Sequence, residues 1–152
     1  MRATLFILIG LFGIVPLCGS HTLAVPFFAD DGGNMGANGP ASGNASFIGI
    51  KNISSTPILL DITYIFPVAG QASVVQNPRK FLLGGSQGIS WRPFRDDPGE
   101  GPGRVVPGVL PGNPAFGSAI ISWQGGEYDG KTVTGRFVQF GGGKVFAHAV
   151  SN

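Results

Sequence analysis

"ILLDITYIF", residues 58–66, sets the architecture. Ile58, Leu60, Ile62, Tyr64 and Phe66 fall on one parity, and Leu59, Asp61, Thr63 and Ile65 on the other. Successive side chains of a strand point to opposite faces, so a period of two reads as an extended segment with two distinct sides. Asp61 marks the second set as the wetter one, and the first set is expected to face a core. The stretch is rich in β-branched and aromatic residues, which suit a pleated, half-buried surface.

The same pattern recurs on either side. "ASFIGIKN" (45–52) sets Ile48 and Ile50 against Phe47. "SAIISWQ" (118–124) alternates Ile121 and Trp123 with Ile120 and Ser122. In "TVTGRFVQF" (132–140), Val133, Phe137 and Gln139 oppose Thr132, Thr134, Arg136, Val138 and Phe140. "AVPFFAD" (24–30), "ASVVQ" (72–76), "KFLLGGSQGISWRPF" (80–94) and "VFAHAV" (145–150) add shorter pieces, with Pro26 suited to an edge or a strand start. Turn residues separate them, among 26 glycines and 12 prolines, and no helical periodicity emerges after residue 25. "GGEYDGK" (125–131) carries Asp129-Gly130, the strongest short hairpin signal. Seven to nine short strands predict an all-β protein: an antiparallel β-sandwich of immunoglobulin-like architecture, with a small β-barrel as the alternative. No paired cysteines flank a core tryptophan, so any likeness to immunoglobulin domains is architectural.

"MRATLFILIGLFGIVPLCGSHTLA" (1–24) has one cation, Arg2, then an apolar run from Ala3 to Val15, then Pro16 and small residues. That is the layout of a secretory signal peptide, cut after Ser20 or after Ala24. The expected organisation is a leader over 1–24 and one domain over 25–152. A retained anchor competes, but the run is shorter than the ~20 residues a spanning helix needs. Lipoprotein processing at Cys18 also competes, although Leu17 is bulky where a small residue is wanted. Loss of the leader would remove the single cysteine, leaving a secreted, periplasmic or cell-surface domain with no disulfide and no membrane span, held by its core alone. It would also remove Arg2 and take the formal net charge from +2 to +1. With no basic stripe, nucleic-acid binding has no electrostatic support.

"WRPFRDDPGEGPGRVVPGVLPGNPAFGS" (91–118) joins two apolar strands. A connection this long, residues 92–118, is usually functional or disordered. Arg92, Arg95 and Arg104 balance Asp96, Asp97 and Glu100, which predicts an ordered loop paired with itself, and its prolines lower the entropy lost on ordering. Its apolar second half reads as a flap across the sandwich. These six charged residues, with Tyr128 in its turn, are the candidate binding residues.

Other chemistry is sparser. Asp30, Asp31 and Asn34 in "DDGGN" offer oxygens to calcium, a hard cation; the plainer reading is a turn capped by its own side chains. Asp96, Asp97 and Glu100 are a second carboxylate group, but three arginines stand close by. Beyond Ala24 the one histidine is His148, which shares parity with Phe146 and Val150 and so is expected to be partly buried and hydrogen-bonded rather than a general base. No G-x-S-x-G elbow accompanies it. Glu100, Glu127 and Asp129 lie in turn-like segments, poor places for a glycosidase pair. Trp91 and Trp123 sit in apolar strands and are expected in the core, leaving Tyr128 as the exposed aromatic that could stack on a sugar. "NAS" at Asn44 and "NIS" at Asn52 match the short N-glycosylation pattern.

On "VPFFADDGG", "FIGIKNISSTPILLDITY", "ISWRPFRDDPGEGPGR" and the strands "AIISW", "GRFVQF" and "FAHAV", the chain resembles small Sec-exported bacterial β-sandwich proteins of uncharacterised function. The resemblance implies export and a compact β domain, and carries over no catalytic residue. The expected function is a non-enzymatic exported structural, adhesion or assembly protein, with a surface protein, a glycan or further copies of itself as partners. The alternative is a carbohydrate- or calcium-dependent binding module, and a third class is a secreted hydrolase using His148.

Overall fold

The computed structural model describes residues 19–31, 35–36, 39–40, 43–97, 105–111, 113, 115–125, 131–141 and 144–150. The strands in chain order are β1 (Ser20–Ala29), β2 (Met35–Gly36), β3 (Gly39–Pro40), β4 (Asn44–Asn52), β5 (Ile58–Phe66), β6 (Val74–Val75), β7 (Arg79–Leu83), β8 (Gly88–Trp91), β9 (Phe116–Gln124), β10 (Val133–Gly141) and β11 (Lys144–Val150). No α-helix occurs among the described residues.

Nine strands form two antiparallel sheets. One runs β1-β9-β5, with β6 and β7 both paired to β5; the other runs β11-β10-β4-β8, and β2 and β3 pair apart from both. Since β9 fills one edge of β5, β6 and β7 share the other, β6 at Ile65–Phe66 and β7 at Ile58–Ile62. Neither sheet closes on itself. The sandwich expectation therefore holds and the barrel alternative does not.

β5 buries the face its sequence marks: Leu60, Ile62 and Tyr64 are fully buried, whereas Leu59 is half exposed. Leu23 and Phe28 of β1, Ile48 and Ile50 of β4, Ile121 and Trp123 of β9 and Phe137 of β10 meet them in the core, with Trp91 at the end of β8. Each such side chain contributes roughly 1.5–3 kcal/mol by leaving water. Asn52 ends β4 inside this layer. Its Nδ2 donates to the Thr56 carbonyl (2.7 Å) and the Gly84 carbonyl (3.1 Å), and its Oδ1 accepts from Ser54 N–H (3.0 Å) and Ser54 Oγ (2.8 Å). The "NIS" match therefore falls on a buried amide that ties two intersheet turns together.

Three findings bear on these readings. First, β1 begins at Ser20, within the stretch read as a leader; His21–Ala24 pair with β9, and Leu23 is in the core. Second, the Asp-Gly segment does not close a hairpin between its flanking strands. β9 lies between β1 and β5, and β10 lies between β4 and β11, so the two strands that flank it belong to different sheets. Both edges of β9 are already occupied, and global sheet order overrides the local turn signal. Third, His148 is exposed rather than partly buried. Pairing with Phe137 gives it inward parity, but β11 reaches the core through Val150, beside Leu23 at Gly135, and the rest of the strand overhangs.

Candidate functional site

The segment after β8 is a strap sewn to both sheets. At its start, the Arg92 guanidinium forks onto the buried Asp30 carboxylate, with Nε donating to Oδ2 at 2.9 Å and a terminal nitrogen donating to Oδ1. Arg92 N–H donates to Asp97 Oδ2 (2.6 Å), and Asp97 and Val106 exchange both backbone hydrogen bonds, at 3.1 and 2.7 Å. The Phe94 ring lies between two cations, its centroid 4.5 Å from Arg92 Cζ and 4.8 Å from Arg95 Cζ. Asp96 pairs with Arg79 of β7, one bond measuring 3.0 Å, and accepts Gly108 N–H at 3.0 Å. The hydrogen-bonded Arg79 is the main reason the Asp96 carboxyl is held below the usual carboxylate range, with Gly108 helping and partial burial opposing.

The strap's apolar half does pack as a flap. Val106 and Val109 are buried, and Val109 N–H donates to the Pro93 carbonyl at 2.7 Å. A polar chain crosses the core beneath it: Trp91 Nε1 donates to Tyr64 Oη (3.0 Å), and Tyr64 Oη donates to the Pro107 carbonyl (2.8 Å). Burial pushes the Tyr64 phenol far up, with the Trp91 hydrogen bond opposing. Gly108 is needed because a Cβ there would sit 1.9 Å from the Arg95 carbonyl oxygen.

These contacts redistribute the candidate residues. Among the described residues, two of the strap's ion pairs run to other elements, Arg92 to Asp30 and Asp96 to Arg79. Each such pair fixes the strap in place, which a pair within the strap could not do. Arg95 stays exposed on the Phe94 ring. Glu100, Arg104, Tyr128 and Asn34 lie outside the described residues.

Asp30 and Asp31 part company. Asp30 is buried, bound to Arg92 and to Ser46 N–H (3.1 Å), while Asp31 is exposed and accepts Asn44 N–H (2.6 Å) and Asn44 Nδ2 (3.3 Å). Both join the end of β1 to β4, and a cation already balances Asp30. Among the described residues no three His, Cys, Asp or Glu side chains gather where a metal could sit.

The outer face of the four-stranded sheet carries the features that sequence reasoning missed. Register places Arg136, Gly49 and Ser90 in one cross-strand row and Thr134, Lys51 and Gly88 in the next. These six line a trough of about 360 Å³. The Arg136 side chain lies across Gly49, where a Cβ would meet its Cγ at 3.1 Å. Further along the same face, Phe47 and Phe140 meet edge to face, centroids 5.9 Å apart. Val145 and Ala147 of β11 continue that apolar end, paired with Phe140 and Val138. Lys144–Ala149 are exposed throughout, and among the described residues β11 pairs with β10 alone, so no described strand covers its other edge. Placing Arg136 on the outer parity of β10 was within reach of the sequence. Setting it beside Lys51 required the pairing register.

No family model matches the chain, and no curated protein matches it in sequence. The crystal structure of Thermotoga maritima 1070 is similar over 87% of this chain and 93% of that one, with a TM-score of 0.50 and 11% identity. At that identity the likeness shows the fold alone: a β-sandwich, on which function is grafted site by site.

Proposed function

We propose that this chain is an exported, non-enzymatic assembly protein that joins copies of itself through the open edge of β11. The observation that carries the reading is that edge. A strand with an unpaired edge presents a row of backbone donors and acceptors, a template for another strand, and proteins that avoid such pairing place charges, prolines or bulges there. β11 reads Lys-Val-Phe-Ala-His-Ala-Val, with one lysine at its start and no proline, and it is paired to β10 without a break in register. Val145 on one face and Phe146 on the other are both more than half exposed. Meanwhile Arg92, Asp30, Asp96 and Asp97, the charged groups first in line for chemistry, are spent on holding the strap.

Export is supported by the leader-like segment, and the position of β1 bears on where that segment would be cut. A cut at or before Ser20 keeps Leu23 in the core, whereas a cut after Ala24 removes it together with the pairing of His21 to Trp123.

Sedimentation velocity over a range of concentrations tests the assembly reading. Wild-type protein associates, and Val145→Lys with Phe146→Lys leaves a folded monomer, because lysine on an edge blocks strand addition. A wild-type chain that stays monomeric throughout would remove the proposal.

A further inference from the structure

We infer that the trough on the outer face of β8, β4 and β10 binds an oxyanion-bearing ligand: a carboxylate, sulfate or phosphate group held by Arg136 and Lys51. The inference does not depend on self-association, which uses the edge strand at the far side of this sheet.

The register carries the argument. Charged residues on the wet face of a sheet gain from opposite charges directly across the strands. Lys51 instead has Thr134 on one side and Gly88 on the other, and Arg136 has Gly49 and Ala149. The two cations are diagonal neighbours, which at about 7–8 Å repel each other. Neither forms an ion pair among the described residues, whose pairs are Arg79–Asp96, Lys80–Asp61 and Arg92–Asp30. An anion between them would turn that repulsion into attraction from two sides.

The floor suits such a ligand. Gly49 lies inside a strand paired on both edges, where glycine weakens the strand and commonly marks a close approach of another group. With no side chain there, Arg136 packs its Cγ and Nε over Gly49, and a guanidinium is the group suited to grip a planar or tetrahedral oxyanion by two parallel hydrogen bonds. Ser90 and Thr134 add two hydroxyls to the lining. Two cations and two hydroxyls on one face suit a compact group with several charged oxygens.

The test is titration of the full chain with sodium phosphate, sodium sulfate and sodium succinate, each against sodium chloride at equal ionic strength. At least one of the three binds saturably, raises the melting midpoint, and shifts the amide resonances of Ser90 and Thr134. The responding salt tells a phosphate or sulfate source from a carboxylate one. Arg136→Gln and Lys51→Gln each weaken binding roughly tenfold or more, through lost charge-assisted hydrogen bonding, and Gly49→Val weakens it by displacing the Arg136 side chain that lies there. Both glutamine variants change exposed side chains and keep the wild-type midpoint without ligand. The inference is overturned if all three salts match chloride, or if binding survives in the Lys51→Gln/Arg136→Gln double variant.

Discussion

Arg92 and Asp30 are 62 residues apart and form the most deeply placed ion pair among the described residues, with side-chain exposures of 11% and 0%. The pair ties the start of the strap to the end of β1, and Asp30 also holds Ser46 of β4 through its N–H. One contact therefore anchors β1 and the strap to the second sheet.

Removing one partner leaves the other buried and unbalanced. Asp30→Asn and Arg92→Gln should each cost about 3–5 kcal/mol in urea unfolding. The double variant should cost clearly less than the two single losses together, because it leaves no lone charge behind. Strict additivity would mean that the two side chains do not act as a pair.

Tyr64 predicts a loss of stability at alkaline pH. Its phenol ionises far above the ordinary 10.0 in the folded chain, chiefly because it is buried. The raised folded-state value means its contribution is complete below the unfolded pKa of about 10 and shrinks as pH rises beyond it, since only the unfolded chain ionises. Urea midpoints taken between about pH 8 and about pH 11 should fall steeply in the wild type and less so in Tyr64→Phe. At neutral pH the same substitution costs about 1–3 kcal/mol, because the Pro107 carbonyl and the Trp91 indole N–H lose their partner.

Asp96 gives the opposite limb. Arg79 depresses its pKa, so its contribution is complete above 3.8, the ordinary value, and is lost as pH falls through the lowered one. Water screens the pair, since the Asp96 side chain is 47% exposed, and Asp96→Asn should cost about 1 kcal/mol or less at neutral pH. The variant should also show a shallower acid limb, read from urea midpoints on lowering the pH. An unchanged acid limb would place the acid sensitivity on other carboxylates.

Much of the fold was legible because burial imposes a period of two that survives without any knowledge of partners. The parity of Ile58 to Phe66 and the core placement of Trp91 and Trp123 follow from it, while the packing of Val106 and Val109 was legible from the apolar composition of the strap's second half. Pairing was not legible. Asp129-Gly130 promised a hairpin, yet the strands around it belong to different sheets. His148 has the parity of a core residue, yet it is exposed. The strap's charges were read as one cluster, but Asp30 and Arg79, their partners, lie far away in sequence. Lys51 and Arg136 passed unnoticed for the same reason, since only the register brings them onto neighbouring strands.

Under the proposed export, the position of β1 predicts the mature end of the protein. Edman sequencing or intact mass of secreted material should find the first residue at or before His21. A chain beginning at Val25 would have lost Leu23 from the core, and its recovery as stable protein would contradict the place given to β1.

Amide hydrogen exchange of β11 as a function of protein concentration reads the open edge itself. Every second N–H of Lys144–Val150 points away from β10 and should exchange quickly in dilute solution. On concentration these amides should become protected, and in Val145→Lys/Phe146→Lys they should stay unprotected. Exchange of β11 that is the same at every concentration would contradict assembly through this strand.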